Sequence, residues 1–204
     1  MIAITDGSIF HLATDNSSYI MHILPSGHAE HIYYGRKLSR PVQYLTTLME
    51  KRYTRQKNAT YYSDEDTTLS LDDVLLEFSA EGKGDYRIPL VAVSAGENGE
   101  RTADFRYKGY MRHEGIAQIS GLPQAKADKT EAESLLLVFE DERLGLTLTL
   151  TYTIFPELDA IVRKSSLKAS KSCIIRSLAS SQLDFRSDKI RITAFSGAWG
   201  REFE

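Results

Sequence analysis

The sequence predicts an all-β chain folded as a large antiparallel β-sandwich, and three observations carry that expectation. Hydrophobicity alternates with a period of two: Leu146, Leu148, Leu150, Tyr152 and Ile154 fall on one face, Thr147, Thr149, Thr151 and Thr153 on the other. Successive side chains of a strand point to opposite faces, so this is a strand with one buried and one wet face. Turn-forming residues recur roughly every ten positions, the spacing of sandwiches and barrels. Nowhere does the pattern change to the alternating strands and helices of a (β/α)8 barrel.

Each element follows from local chemistry. Residues 9–14 form a first strand. Residues 19–24 and 29–34 flank Pro25, Ser26, Gly27 and His28, a turn by composition, and pair as a hairpin. Residues 88–94 and 102–113 flank a loop carrying Asn98-Gly99, which favours tight reversal, and form a second hairpin. Residues 133–140 include the apolar run Leu135 to Phe139, and the connector 141–145 joins them to 146–154 in a third. Further strands are expected at 160–169, 173–185 and 189–195. No composition shift marks a boundary, so residues 1–204 are expected to make a single domain.

Residues 45–73 break the pattern. They are polar and aperiodic, with Tyr53, Tyr61, Tyr62 and the cluster Asp64, Glu65, Asp66. This is one long loop, with room for a short helix over 45–52. Long loops in compact domains are often functional, because their ordering entropy otherwise has no return; a plain surface insertion fits the composition equally.

Net charge is −3, which gives no electrostatic footprint for nucleic acid or an anionic membrane. No stretch approaches the apolar run of a membrane-spanning helix. Cys173 is the single cysteine, so no internal disulfide can form, which fits a reducing compartment. Residues 1–10 lack the basic and apolar regions of a signal peptide, so the expected location is cytoplasmic.

Chemistry-bearing motifs are few. With a reversal at Ser26-Gly27, His22 and His31 stand opposite each other, but a structural zinc site needs four ligands and no cysteine pair exists. A cross-strand pair without metal is the better reading, and no cofactor is expected. Cys173 sits in an alternating apolar segment and reads as a buried core thiol. No Gly-x-Ser-x-Gly elbow is present, and Gly82-x-Gly84 lacks the following helix and lysine of a phosphate loop. With 28 acidic residues, a carboxylate pair suited to glycoside hydrolysis cannot be picked out. Among the aromatic residues Trp199 stands out, either sealing the end of the sandwich or packing on something that follows.

Several strings, in order, carry a resemblance. They are His31-Ile32-Tyr33-Tyr34-Gly35, Gly82-Lys83-Gly84-Asp85-Tyr86-Arg87-Ile88-Pro89, Asp104-Phe105-Arg106-Tyr107-Lys108 and Gly121-Leu122-Pro123. The acidic hairpin over 131–152, Leu183-Asp184-Phe185 and Ser196-Gly197-Ala198-Trp199-Gly200-Arg201-Glu202 complete the set. Each is weak alone; in this order the chain resembles, nearly end to end, the N-terminal domain of bacterial α-galactosidases of glycoside hydrolase family 36.

The resemblance implies an N-terminal β-supersandwich. The family's catalytic barrel, with both catalytic aspartates of a retaining mechanism, and its C-terminal sandwich are absent from these residues. No catalytic residue is therefore expected here, and the 204 residues alone are expected to be inactive. The implied partners are the enzyme's own barrel, other copies in a homo-oligomer, and α-galactosides such as melibiose and raffinose bound by the whole enzyme. Loops of this domain in the family reach a neighbouring subunit's substrate pocket, some with an acid and an arginine. The matching candidates are Glu50 and Arg52, with Thr67 where the arginine can stand, and Trp199. Thr67 departs from that pattern. The alternative is a free-standing carbohydrate-binding β-sandwich module.

Overall fold

The computed structural model describes residues 1–39, 67, 69–118, 121, 123–185, 189–194 and 196–201. Among them are ten β-strands and no helix: β1 (Ile2–Thr5), β2 (Ile9–Ala13), β3 (Ser17–Ile23), β4 (Ala29–Arg36), β5 (Val91–Ala95), β6 (Arg106–Glu114), β7 (Glu133–Asp141), β8 (Leu146–Phe155), β9 (Ala160–Ala169) and β10 (Cys173–Leu178). All ladders between strands are antiparallel. One four-stranded sheet runs β1-β2-β3-β4, a second runs β6-β7-β8-β9, and β5 pairs with β10.

The all-β sandwich expectation holds, and the period-two pattern explains it. Leu146, Leu148, Leu150, Tyr152 and Ile154 of β8 are all buried, facing Phe10, Leu12, Tyr19 and Met21 from the first sheet. One apolar cluster draws on all three sheets, adding Val91, Val93 and Ala95 of β5. Aromatic contacts cross between the sheets: Phe10 meets Tyr110 edge-on at 5.5 Å, and Tyr19 lies 6.1 Å from Tyr152. Such pairs contribute about 0.5–1.5 kcal/mol beyond their burial.

The structure corrects several expectations. The hairpin of 88–94 with 102–113 does not form. The Asn98-Gly99 reversal makes one rung, with the amides and carbonyls of Ala95 and Glu100 bonded both ways at 2.9 and 2.7 Å. The chain then departs to bury Ala103 and Phe105. Burial decides the partners. Val91, Ala92 and Val93 are buried on successive, opposite faces, so β5 belongs in the interior, whereas β6 is exposed along most of its length and takes an edge beside β7. β10 ends at Leu178 instead of running to 185, and residues 189–194 form no strand; Phe195 lies outside the described residues.

The β3–β4 hairpin forms, but in another register. Leu24 N–H donates to the His28 carbonyl at 2.8 Å, which closes a three-residue loop over 25–27 with Gly27 at φ 85°. A three-residue loop with a left-handed residue shifts the ladder by one position relative to a two-residue turn. His31 therefore faces Met21, and His22 faces Glu30. The strand β1, not anticipated, returns on β2 through Asp6-Gly7, both at positive φ. The tight reversal is a signal that Asp-Gly carries in the sequence.

Most of the long loop at 45–73, including the helix expected over 45–52, lies outside the described residues. Its last part is less polar in effect than its composition suggests. Leu71 is buried with Val74 and Leu76 in a small satellite cluster. Residues 75–81 then thread along the sheet, with Leu76 bridged to Glu30 and Ala80 to Val91.

Candidate functional site

The chain's buried polar chemistry converges on Glu77. Its backbone is fixed first: Glu77 N–H donates to the Ala29 carbonyl at 3.0 Å, and His31 N–H donates to the Leu75 carbonyl at 2.7 Å. This turns a carboxylate that is 0% exposed toward the space between the sheets. Tyr19 and Tyr152 donate their hydroxyls to its Oε1 at 2.7 and 2.5 Å. Arg163 places Nη1 at 2.9 Å from the same oxygen, and His31 Nδ1 stands 3.5 Å from Oε2.

Arg163 binds more than the carboxylate. Nη2 donates to the Glu77 carbonyl and Nη1 to the Gln182 carbonyl, each at 2.6 Å, and the guanidinium lies 5.3 Å from the Tyr152 ring centre. Gln182 Oε1 in turn accepts from the amide of Ser79 at 2.9 Å. Burial alone would raise the Glu77 pKa, but Arg163, then His31 and Tyr152, outweigh it and hold the carboxyl below its ordinary value of 4.5. Burial, and then the Glu77 charge, push both tyrosines well above 10.0. Every group is thus locked in its ordinary charge state: carboxylate, guanidinium and neutral phenols.

A second arginine performs a similar task nearer the surface. Arg87 Nη1 donates to the Leu71 carbonyl at 2.8 Å, Nη2 to those of Asp72 (3.1 Å) and Val74, and Nε pairs with Asp184 at 2.7 Å. Tyr86 N–H donates to Asp72 Oδ1 at 3.1 Å. Strings that are separate in the sequence, at 31–35, 82–89 and 183–185, thereby meet around two arginines. Neither Glu77, Arg163 nor Arg87 was singled out from sequence. The available signal was a lone charge, Glu77, inside the apolar run from Val74 to Phe78.

This arrangement is suited to holding segments together. A cavity of about 10 Å³ is lined by His28, Lys83, Asp85, Asp104 and Phe105. It admits about one water, whereas ligand pockets are roughly 300–1,000 Å³. Among the described residues no group of three or more His, Cys, Asp or Glu could hold a metal ion. His22 instead sits 2.6 Å from Glu30, and His28 lies 3.0 Å from Asp104. Cys173 packs against the core but is only half-buried, at the start of a β10 whose middle residues are exposed.

Of the rim candidates, Glu50 and Arg52 lie outside the described residues. Thr67 is exposed in a turn. Trp199 is 100% exposed, at the tip of a reversal closed by Ala198 and Arg201 bonding each other's backbone at 2.9 and 2.8 Å. It does not seal the sandwich. Exposed apolar side chains gather nearby in sequence: Ile174, Ile175, Leu183, Phe185, Ile190 and Ile192. Monomeric soluble proteins rarely leave large apolar patches bare.

Comparison with known proteins adds the following. Residues 27–204 match the model of the glycosyl hydrolase family 36 N-terminal domain. The chain is 31% identical over 199 residues to the α-galactosidase AgaA of Geobacillus stearothermophilus, an alignment covering 95% of this chain and 26% of that protein. Its fold superposes on the crystal structure of an α-galactosidase from Lactobacillus brevis with a TM-score of 0.81 at 30% identity, covering 90% of this chain and 25% of that one. A substituted form of AgaA from Geobacillus stearothermophilus, in complex with raffinose, matches with a TM-score of 0.79 at 30% identity, over 88% of this chain and 25% of that one. The chain therefore spans about a quarter of the length of these relatives.

Proposed function

Since the chain belongs to the glycosyl hydrolase family 36 N-terminal domain family, we propose that it serves as the non-catalytic N-terminal part of a cytoplasmic α-galactosidase acting on α-galactosides such as melibiose and raffinose. Its task is to pack on the catalytic barrel, to contribute to a homo-oligomer, and to shape the rim of the substrate pocket. The observation that carries this reading is the set of exposed apolar side chains Ile174, Ile175, Leu183, Phe185, Ile190 and Ile192, interleaved with polar residues, whose burial a covering domain would supply. The interior supports it: Glu77 Oε1 is taken up by Tyr19, Tyr152 and Arg163.

Two measurements test the reading. The purified 204-residue chain should not hydrolyse an aryl α-galactoside; turnover at the rate of a whole α-galactosidase would overturn it. In the whole enzyme, replacing Glu50 or Arg52 should weaken raffinose-type substrates more than a small aryl galactoside, with Thr67 and Trp199 following the same pattern. Equal effects on both substrates would remove these residues from the rim.

A further inference from the structure

Tyr86 and Ile88 are 81% and 92% exposed, yet the backbone that carries them is tied down. The intervening Arg87 points inward and spends its guanidinium on the carbonyls of Leu71, Asp72 and Val74 and on Asp184. The amide of Tyr86 is bonded to Asp72. An exposed aromatic and a branched aliphatic on a backbone already fixed can be buried by a partner without a further cost of ordering the turn. The Arg87–Asp184 pair also sets this turn beside Leu183 and Phe185, each exposed and each next to Asp184. The 82–89 turn is thus tied to exposed apolar side chains from a distant part of the sequence.

Resting on the reading of this chain as the N-terminal part of an α-galactosidase, we propose that Tyr86 and Ile88 are anchors of its contact with the catalytic barrel. Two observations select that occupant. The Arg87–Asp184 pair holds the turn close to Leu183 and Phe185, so a domain that covers those side chains is placed to reach Tyr86 and Ile88. About three quarters of the length of the relatives lies outside the part that this domain matches, so in them a further domain on the same polypeptide is available to cover it.

The test uses the full-length gene product and the 204-residue chain, each with Tyr86→Arg plus Ile88→Arg. In the full-length enzyme the double variant should melt several degrees lower, or in two steps instead of one, and be clipped faster between domains. The 204-residue chain should melt as before, because both side chains are exposed there. Tyr86→Ser with Ile88→Ser should show the same pattern more weakly, which guards against misfolding by the arginines. Unchanged melting of the full-length double variant overturns the proposal while leaving the domain reading intact. So does loss of self-association in the 204-residue chain alone, which would make a second copy the occupant. A gene that encodes no barrel overturns both.

Discussion

Removing one partner of a buried ion pair strands the other's charge where water cannot reach it. Arg163→Met should therefore destabilise the domain by about 3–5 kcal/mol in urea unfolding, the cost of an uncompensated buried charge. Adding Glu77→Gln should cost less than the sum of the two single changes, because the residues share one network. The pair also sets a pH dependence. Glu77 has its carboxyl pKa depressed below 4.5, so its stabilisation is complete above that value and is lost as pH falls through the depressed one. Asp85 acts in the opposite sense. Its side chain is 1% exposed and burial, only partly offset by its own amide and Arg87, raises its pKa above 3.8. Its charge thus costs stability at neutral pH, a cost that fades as pH falls and is gone below 3.8. Asp85→Asn should raise the melting temperature at pH 7 and not at pH 3.5; a lower melting temperature at pH 7 would show that Asp85 is needed as an anion. The sequence made Glu77 visible only as an interruption of an apolar run. Its partners arrive from positions 19, 31, 152 and 163, which no local pattern can connect.

At the level of strands, alternation was readable wherever one face is wet. β8 and β9 fall where the leucine–threonine pattern and the turns place them, because one buried face leaves no freedom of register. β5 was misjoined for the converse reason. A strand buried on both faces carries no period, and its short apolar run does not say which neighbour covers it. The β3–β4 register turned on one residue of loop length, decided by Gly27. Its φ of 85° is strained for any other residue, and an added Cβ would stand 3.2 Å from the Arg106 Cβ. Gly27→Ala should thus cost about 1 kcal/mol or more, read as a lowered denaturation midpoint at unchanged m-value. No loss at all would mean that the loop relaxes to another turn, freeing His31 to meet His22.

Across the whole molecule, the two kinds of evidence divide the labour. A net charge of −3 gave no electrostatic footprint for nucleic acid, and the ordered strings supplied the family. The exposed apolar side chains could not be read from sequence, since Ile174 and Ile175 look like core residues until β10 is found to pack on the core only at its ends, Cys173 and Leu178. Such side chains also have a chaperone's interest: until covered, they are the surface on which copies of the isolated domain would aggregate.

The partnership of β5 with β10 sets a timetable for folding. The two strands lie nearly eighty residues apart in the chain. As a ribosome delivers the chain, β5 emerges with both faces apolar and waits for Cys173–Leu178 before its ladder can close. Sheets built from such distant pairings form slowly, after the loop between them has been ordered. The hairpins β1 to β4 and β6 to β9 can assemble from neighbours as they appear. The β5–β10 ladder is completed last, because its second strand is the last of the ten to be made.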